Sequence, residues 1–179
     1  MTITPPPDRP DDAGHTATGD PTDRLEVALR AAVAEVEQYV DDSGWDAPRQ
    51  LFALVPTAEL LAHEPGLIGH VSAARGSADA ASAPEFTPVE QGSLPGETVA
   101  AALATIAWPD EIAGAVLVLE IGVEGGDGPA EGRLAVGVMR ERPGGMCALR
   151  WRHAPEGPVT FSPELAPELI EALHATFEP

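Results

Sequence analysis

Five of the ten arginines, Arg133, Arg140, Arg142, Arg150 and Arg152, fall within twenty residues of a chain that is otherwise strongly acidic. A guanidinium is a planar fork of donors that matches a carboxylate or a phosphate. Strand periodicity, developed below, places Arg133, Arg150 and Arg152 on one face, with Gly137 and Ala135 as a shallow floor between them. Glu120 is the one acid–base candidate in reach of that face. Two chemistries follow: a binding face for a protein partner or a small anion, or an enzyme in which Glu120 moves a proton on an anionic substrate held by Arg150 and Arg152. Against both stands internal pairing with the protein's own acids, Glu120 and Glu131 being nearest, since exposed ion pairs are common and contribute little.

Other motifs nominate no catalytic residue, metal or cofactor. Gly125-Gly126-Asp127-Gly128 lacks phosphate-loop spacing and precedes a strand, whereas a dinucleotide loop precedes a helix, so it is expected as a solvated hairpin loop. His63-Glu64 runs into Pro65 and does not continue as His-Glu-x-x-His, which leaves His63 and His70 as surface histidines. There is no Gly-x-Ser-x-Gly elbow, and the single cysteine, Cys147, is turned inward by its strand parity and reads as a small buried hydrophobe. The chain contains no lysine, which closes P-loop hydrolysis, protein-kinase chemistry and pyridoxal-phosphate catalysis. Trp45, Trp108 and Trp151 lie near turns or on a buried parity, as core edges do.

Charge sets the partners. With 29 acidic residues against 10 basic ones the formal net charge is −19, a field that repels phosphate backbones and anionic lipid. Nucleic acid is therefore disfavoured, and no nucleic-acid partner is expected. The longest nearly apolar run, residues 112–119, is far short of the roughly 20 residues that span a bilayer, so no membrane insertion is expected. Residues 1–21 lack the basic start and apolar run of a secretory signal, and a soluble cytoplasmic protein is expected.

The arginines must be positioned by three apolar segments, AVLVLEIGV, RLAVGVMRE and MCALRWR, within residues 114–152. Leu117, Leu119, Ile121 and Val123 share one parity, as do Leu134, Val136 and Val138, and Cys147, Leu149 and Trp151, which is the alternation of strands with one buried face. With Pro143-Gly144-Gly145 in the turn, Val138 falls opposite Leu149, Val136 opposite Trp151, and Arg150 beside Gly137. The matching argument across residues 124–132 sets Ile121 beside Val136. A slip of one residue would put an apolar set in water, so the pattern selects a three-stranded antiparallel meander.

Around it, Leu25, Leu29, Ala32, Val33, Val36 and Val40 make the stripe of an amphipathic helix from Asp23 to Ser43-Gly44. Leu51-Phe52-Ala53-Leu54-Val55 is apolar on both parities and reads as an interior strand. Thr57 caps a short helix through His63. Residues 86–91 form a short edge strand, weakened by Pro88. Residues 97–108 and a segment from Ser162-Pro163, with Pro167 in its first turn, are helical. Residues 1–21 and a loop at about 71–85 are too poor in large apolar side chains to repay ordering and are expected to be disordered and mobile. The expected fold is a single α+β domain over residues 22–179, a mainly antiparallel sheet with its helices packed chiefly on one face.

The stretches Gly44-Trp45-Asp46-x-Pro48-Arg49-x-Leu51-Phe52-Ala53-Leu54-Val55, Ile106-Ala107-Trp108-Pro109-Asp110-Glu111 and Cys147-Ala148-Leu149-Arg150 resemble those of a small family of actinobacterial proteins of unknown function. The resemblance covers residues 23–177 and implies no activity or cofactor. The functional expectation is a non-enzymatic binding or adaptor protein, with the small-anion enzyme as the alternative.

Overall fold

The computed structural model describes residues 21–63, 85–125 and 128–178. Its centre is a six-stranded sheet, every neighbouring pair antiparallel, in the order β2-β1-β3-β4-β5-β6. The strands are β1 (Gln50–Pro56), β2 (Phe86–Ser93), β3 (Gly114–Gly125), β4 (Gly128–Met139), β5 (Arg142–Trp151) and β6 (Thr160–Ser162). Among the described residues four helices accompany them: α1 (Pro21–Asp41), α2 (Thr57–His63), α3 (Val99–Leu103) and α4 (Pro167–His174), the last continued by a 3-10 turn at Ala175–Phe177. This is the α+β antiparallel architecture that the alternation predicts, with β3, β4 and β5 as its meander and β1 interior. Apart from Pro21 and Glu85, the tail at 1–21 and the loop at 71–85 lie outside the described residues.

The faces pair as expected but the register is four residues off. Val136 sits opposite Cys147, Leu134 opposite Leu149, and Leu117 opposite Val136. Because the slip is even, every side chain keeps its face. Its cause lies in the turns. The β4–β5 hairpin closes through Arg140-Glu141, with Met139 opposite Arg142, and Pro143-Gly144 falls in a bulge of β5. Proline has no N–H for the ladder and Gly144 takes φ 83°, which suits a bulge. On the other side β3 and β4 pair as far as Gly125 and Gly128, so the strands run through most of the expected loop.

Helix placement departs from a one-sided arrangement. α3 and α4 cover the expected face, where Leu103, Ile170 and Leu173 pack with Leu117, Val136, Val138, Cys147 and Leu149. α1 covers the opposite face, its Leu29, Val33, Val36 and Val40 packing on Phe52, Val116, Val118, Ala135, Met139 and Ala148. That face is apolar along its middle, and its charged residues lie at the ends and edge of the sheet. An amphipathic stripe can therefore seal it, and the sheet lies between two helical layers.

Candidate functional site

Placing α1 on this face decides what the arginines can do. A Cβ at Gly137 would clash with Val33 Cγ2 and come within 3.0 Å of Leu29 Cδ1. The glycine expected as an open floor is instead the groove in which α1 rests. At the end of the helix the chain turns sharply: Ser43 N–H donates to Val40 O, Gly44 N–H donates to Asp41 O, and Gly44 (φ 84°) and Asp46 (φ 66°) are both left-handed. Aspartate tolerates that conformation better than bulky residues do. The turn brings Trp45, Asp46 and the last two acids of α1 over the charged end of β3, β4 and β5.

The structure brings all four candidate residues, Arg133, Arg150, Arg152 and Glu120, to this one end. Glu120 and Arg133 are opposite in the β3–β4 register, and Arg133 is opposite Arg150 across β4–β5. Arg133 is 1% exposed. Its Nη1 donates to Gly44 O at 2.9 Å and its Nη2 pairs with Asp41, with Glu37 Oε1 at 3.8 Å. The guanidinium thus serves the carbonyl-rich end of α1, where a cation is favoured. Its Nε finds no hydrogen-bond acceptor among the described residues. Arg150 is bound on two nitrogens by Glu37, Nε to Oε1 at 2.6 Å and Nη2 to Oε2 at 2.7 Å. Hydrogen bonding from Glu37 raises the Arg150 pKa, against a smaller opposing effect of burial.

The outer part is wetter. Arg152 donates to both oxygens of Asp46, at 2.9 and 2.7 Å, and to Glu131 Oε2 at 3.1 Å, with Glu120 Oε2 at 3.8 Å. The Asp46 hydrogen bonds hold the Arg152 pKa above its ordinary value and hold the Asp46 carboxyl below its own. Ala47 N–H donates to Glu120 Oε1 at 3.2 Å, so the acid–base candidate has a structural donor. The half-buried Trp45 ring packs against two cations, its centroid 4.7 Å from Arg133 Cζ and 5.5 Å from Arg152 Cζ. Three guanidinium groups thus meet five carboxylates, those of Glu37, Asp41, Asp46, Glu120 and Glu131.

Arg140 and Arg142 are not part of this cluster; they lie at the opposite end of the strands. Arg140 donates to Ile112 O at 3.0 Å and lies over the Phe177 ring, and Arg142 pairs with Glu26 at 2.8 Å. Sequence reasoning missed Glu37, Asp41 and Asp46 as partners. The signal was present, because Glu37 and Asp41 are four residues apart on a helix, but it has meaning only once α1 is known to cross this face. Elsewhere Cys147 is fully buried, and burial pushes its thiol up to about 11. Trp108 is half-buried, donating to Thr176 Oγ1 at 2.8 Å and stacking on Phe177. Among the described residues no group of three or more His, Cys, Asp or Glu is placed to hold a metal ion, and no helix is long and apolar enough to cross a membrane.

Residues 29–127, from the third turn of α1 to the β3–β4 hairpin, match the family of PPA1309-like proteins. The chain belongs to this family. The match takes in Glu37, Asp41, Trp45, Asp46 and Glu120 and ends before the three arginines they meet. The family description names no activity, ligand or partner. No curated protein and no solved structure matches the chain.

Proposed function

We propose that this PPA1309-like protein is a non-enzymatic binding or adaptor protein whose partner docks on the turn at Trp45 and Asp46 and on Arg152. One observation carries the reading: a half-buried indole lies against two guanidinium groups while its outer neighbours stay in water, the side chains of Arg152, Asp46 and Glu131 being 35%, 74% and 65% exposed. Tryptophan and arginine are the residue types most enriched at binding hot spots, and a pre-paired arginine loses little further freedom when a partner arrives. Arg133, Arg150 and Glu37 hold this surface rigid from beneath.

The alternative, a small anionic substrate held by Arg150 and Arg152 with Glu120 as base, has less support. An anion would have to displace Glu37 from a bidentate pair and enter a group of charges that is already net negative. The same reading places the protein in the cytoplasm of an actinobacterium, as the composition and the resemblance suggest, with nucleic acid disfavoured by a net charge of −19.

Arg152→Glu is the clean test, because Arg152 lies outside the apolar cores whereas Arg150 holds Glu37. The protein purified with its partner from its native host should lose that partner on Arg152→Glu and on Trp45→Ala, with the Arg152→Glu protein still folded by circular dichroism. Retention of the same partner by both variants contradicts the reading.

A further inference from the structure

Resting on the docking surface proposed above, we infer that Glu120 is its positioning residue. Its carboxylate ties the turn after α1 to Arg152 and so fixes where Trp45 and Asp46 stand relative to the arginine. Glu120 acts through these groups and need not touch the partner itself.

The turn is pinned at two successive residues, from opposite sides of β4. Asp46 is held from the β5 side by Arg152, through hydrogen bonds of 2.9 and 2.7 Å. Ala47 is held from β3, its N–H donating to Glu120 Oε1 at 3.2 Å. The second oxygen of the same carboxylate, Oε2, lies 3.8 Å from Arg152 Nη1. Asp46, Ala47, Glu120 and Arg152 therefore close a ring across the end of the sheet. Within that ring Glu120 is the member that meets both the backbone of the turn and the arginine.

The local chain gives a reason for such a tie. Gly44 takes φ 84° freely, whereas Asp46 at φ 66° occupies a region that is costly for a residue with a side chain and persists only where surrounding contacts impose it. Pro48 favours an extended residue before it, which directs Ala47 out of the turn and toward β1. Glu120 is placed to meet it. It stands two residues beyond Val118, the β3 residue opposite Gln50 at the start of β1, and shares the face of Val118 on which α1 packs. Its side chain is 24% exposed, and an ionised acceptor in a partly shielded site makes a stronger hydrogen bond than a neutral one. The same carboxylate is the one a proton-transfer role would use, and the two roles part at Glu120→Gln. Glutamine keeps an oxygen for the Ala47 N–H but has no basic group.

Amide hydrogen exchange, read by nitrogen–proton NMR on the full chain, tests the tie. Glu120→Ala should speed exchange at Ala47 by on the order of tenfold, the loss of one hydrogen bond to a charged group, and leave the buried mid-sheet amides of Leu117 and Val136 unchanged. Glu120→Gln should restore most of the protection. The partner that co-purifies from the native host should be weakened by Glu120→Ala and retained by Glu120→Gln. Unchanged exchange at Ala47 overturns the proposal, as does equal acceleration at Leu117 and Val136, which would make Glu120 a general support of the fold. Loss of the partner by Glu120→Gln as well would assign the effect to charge and overturn the positioning role. Full retention by Glu120→Ala while Arg152→Glu and Trp45→Ala lose the partner overturns the positioning role and leaves the docking surface standing. Retention by all three variants overturns both.

Discussion

Glu37→Gln removes one charge from the centre of the arginine–carboxylate network while keeping the side-chain shape. In the wild type the Glu37 side chain is 3% exposed, grips Arg150 through both oxygens and lies 3.8 Å from Arg133. After the change Arg133, itself buried, keeps Asp41 as its paired carboxylate, and Arg150 keeps the same Asp41 at 3.6 Å. Removing one member of a buried pair costs about 3–5 kcal/mol, because the remaining charge stays desolvated. Water reaches the Arg150 end, so the lower value, about 3 kcal/mol, is expected here. At about 2–4 °C per kcal/mol for a chain of this length, the thermal midpoint should fall by about 6–12 °C. Circular dichroism melting at neutral pH measures it, and the difference should persist in high salt, which screens exposed pairs far more than buried ones. The double variant Glu37→Met with Arg150→Met should recover much of the loss, since an apolar replacement leaves one fewer buried charge unpaired. A drop below about 2 °C, or one that vanishes in salt, would refute the view that these charges brace the fold.

Four further outcomes are expected. Gly137→Val drives a side chain into Val33 and Leu29 and should cost about 1–3 kcal/mol by overpacking, read as a lower urea midpoint; a neutral result would mean α1 does not rest there. Cys147, with its thiol held at about 11 by burial, should resist alkylation at neutral pH in the folded protein and react on unfolding. Asp46 has a depressed folded pKa, so its contribution is present above the unfolded value of about 3.9 and lost as pH falls through the folded one. The stability difference between wild type and Asp46→Asn should therefore shrink on acidification. Tyr39 has a raised folded pKa, so its contribution is present below about 10 and lost as pH rises through the folded value, and Glu90→Gln should bring the phenolate absorbance transition back toward 10.

Much of the fold was legible because strand parity is robust to error. Placing Pro143-Gly144-Gly145 in the turn shifted the β4–β5 register by four residues, yet Leu134, Val136, Val138, Cys147 and Leu149 all kept their face. What the alternation could not show was the other face. Val116, Val118, Ala135 and Ala148 share parity with Arg133 and Arg150, and once that parity was taken as polar there was no place on it for α1. The candidate site was legible as a set of residues, since Arg133, Arg150, Arg152 and Glu120 do meet. Its chemistry was not, because the acids that occupy the guanidinium groups come from a helix and a turn about ninety residues or more earlier for Arg133 and further still for Arg150 and Arg152. The one-residue bulge of β2 at Gln91, which sets Glu90 opposite Phe52, was not read from the sequence either, although Gly92 lies beside it with φ 91°.

The claim that the Trp45–Arg152 surface faces a partner is tested most directly by photocrosslinking in the native host. A photoreactive residue replaces exposed His153, next to Arg152, or exposed Ala104, which follows α3 on the other side of the sheet. The account predicts one defined protein adduct from position 153, its loss when Arg152→Glu is added, and its absence from position 104. Equal adducts from both positions, or an adduct at 153 that survives Arg152→Glu, would contradict it.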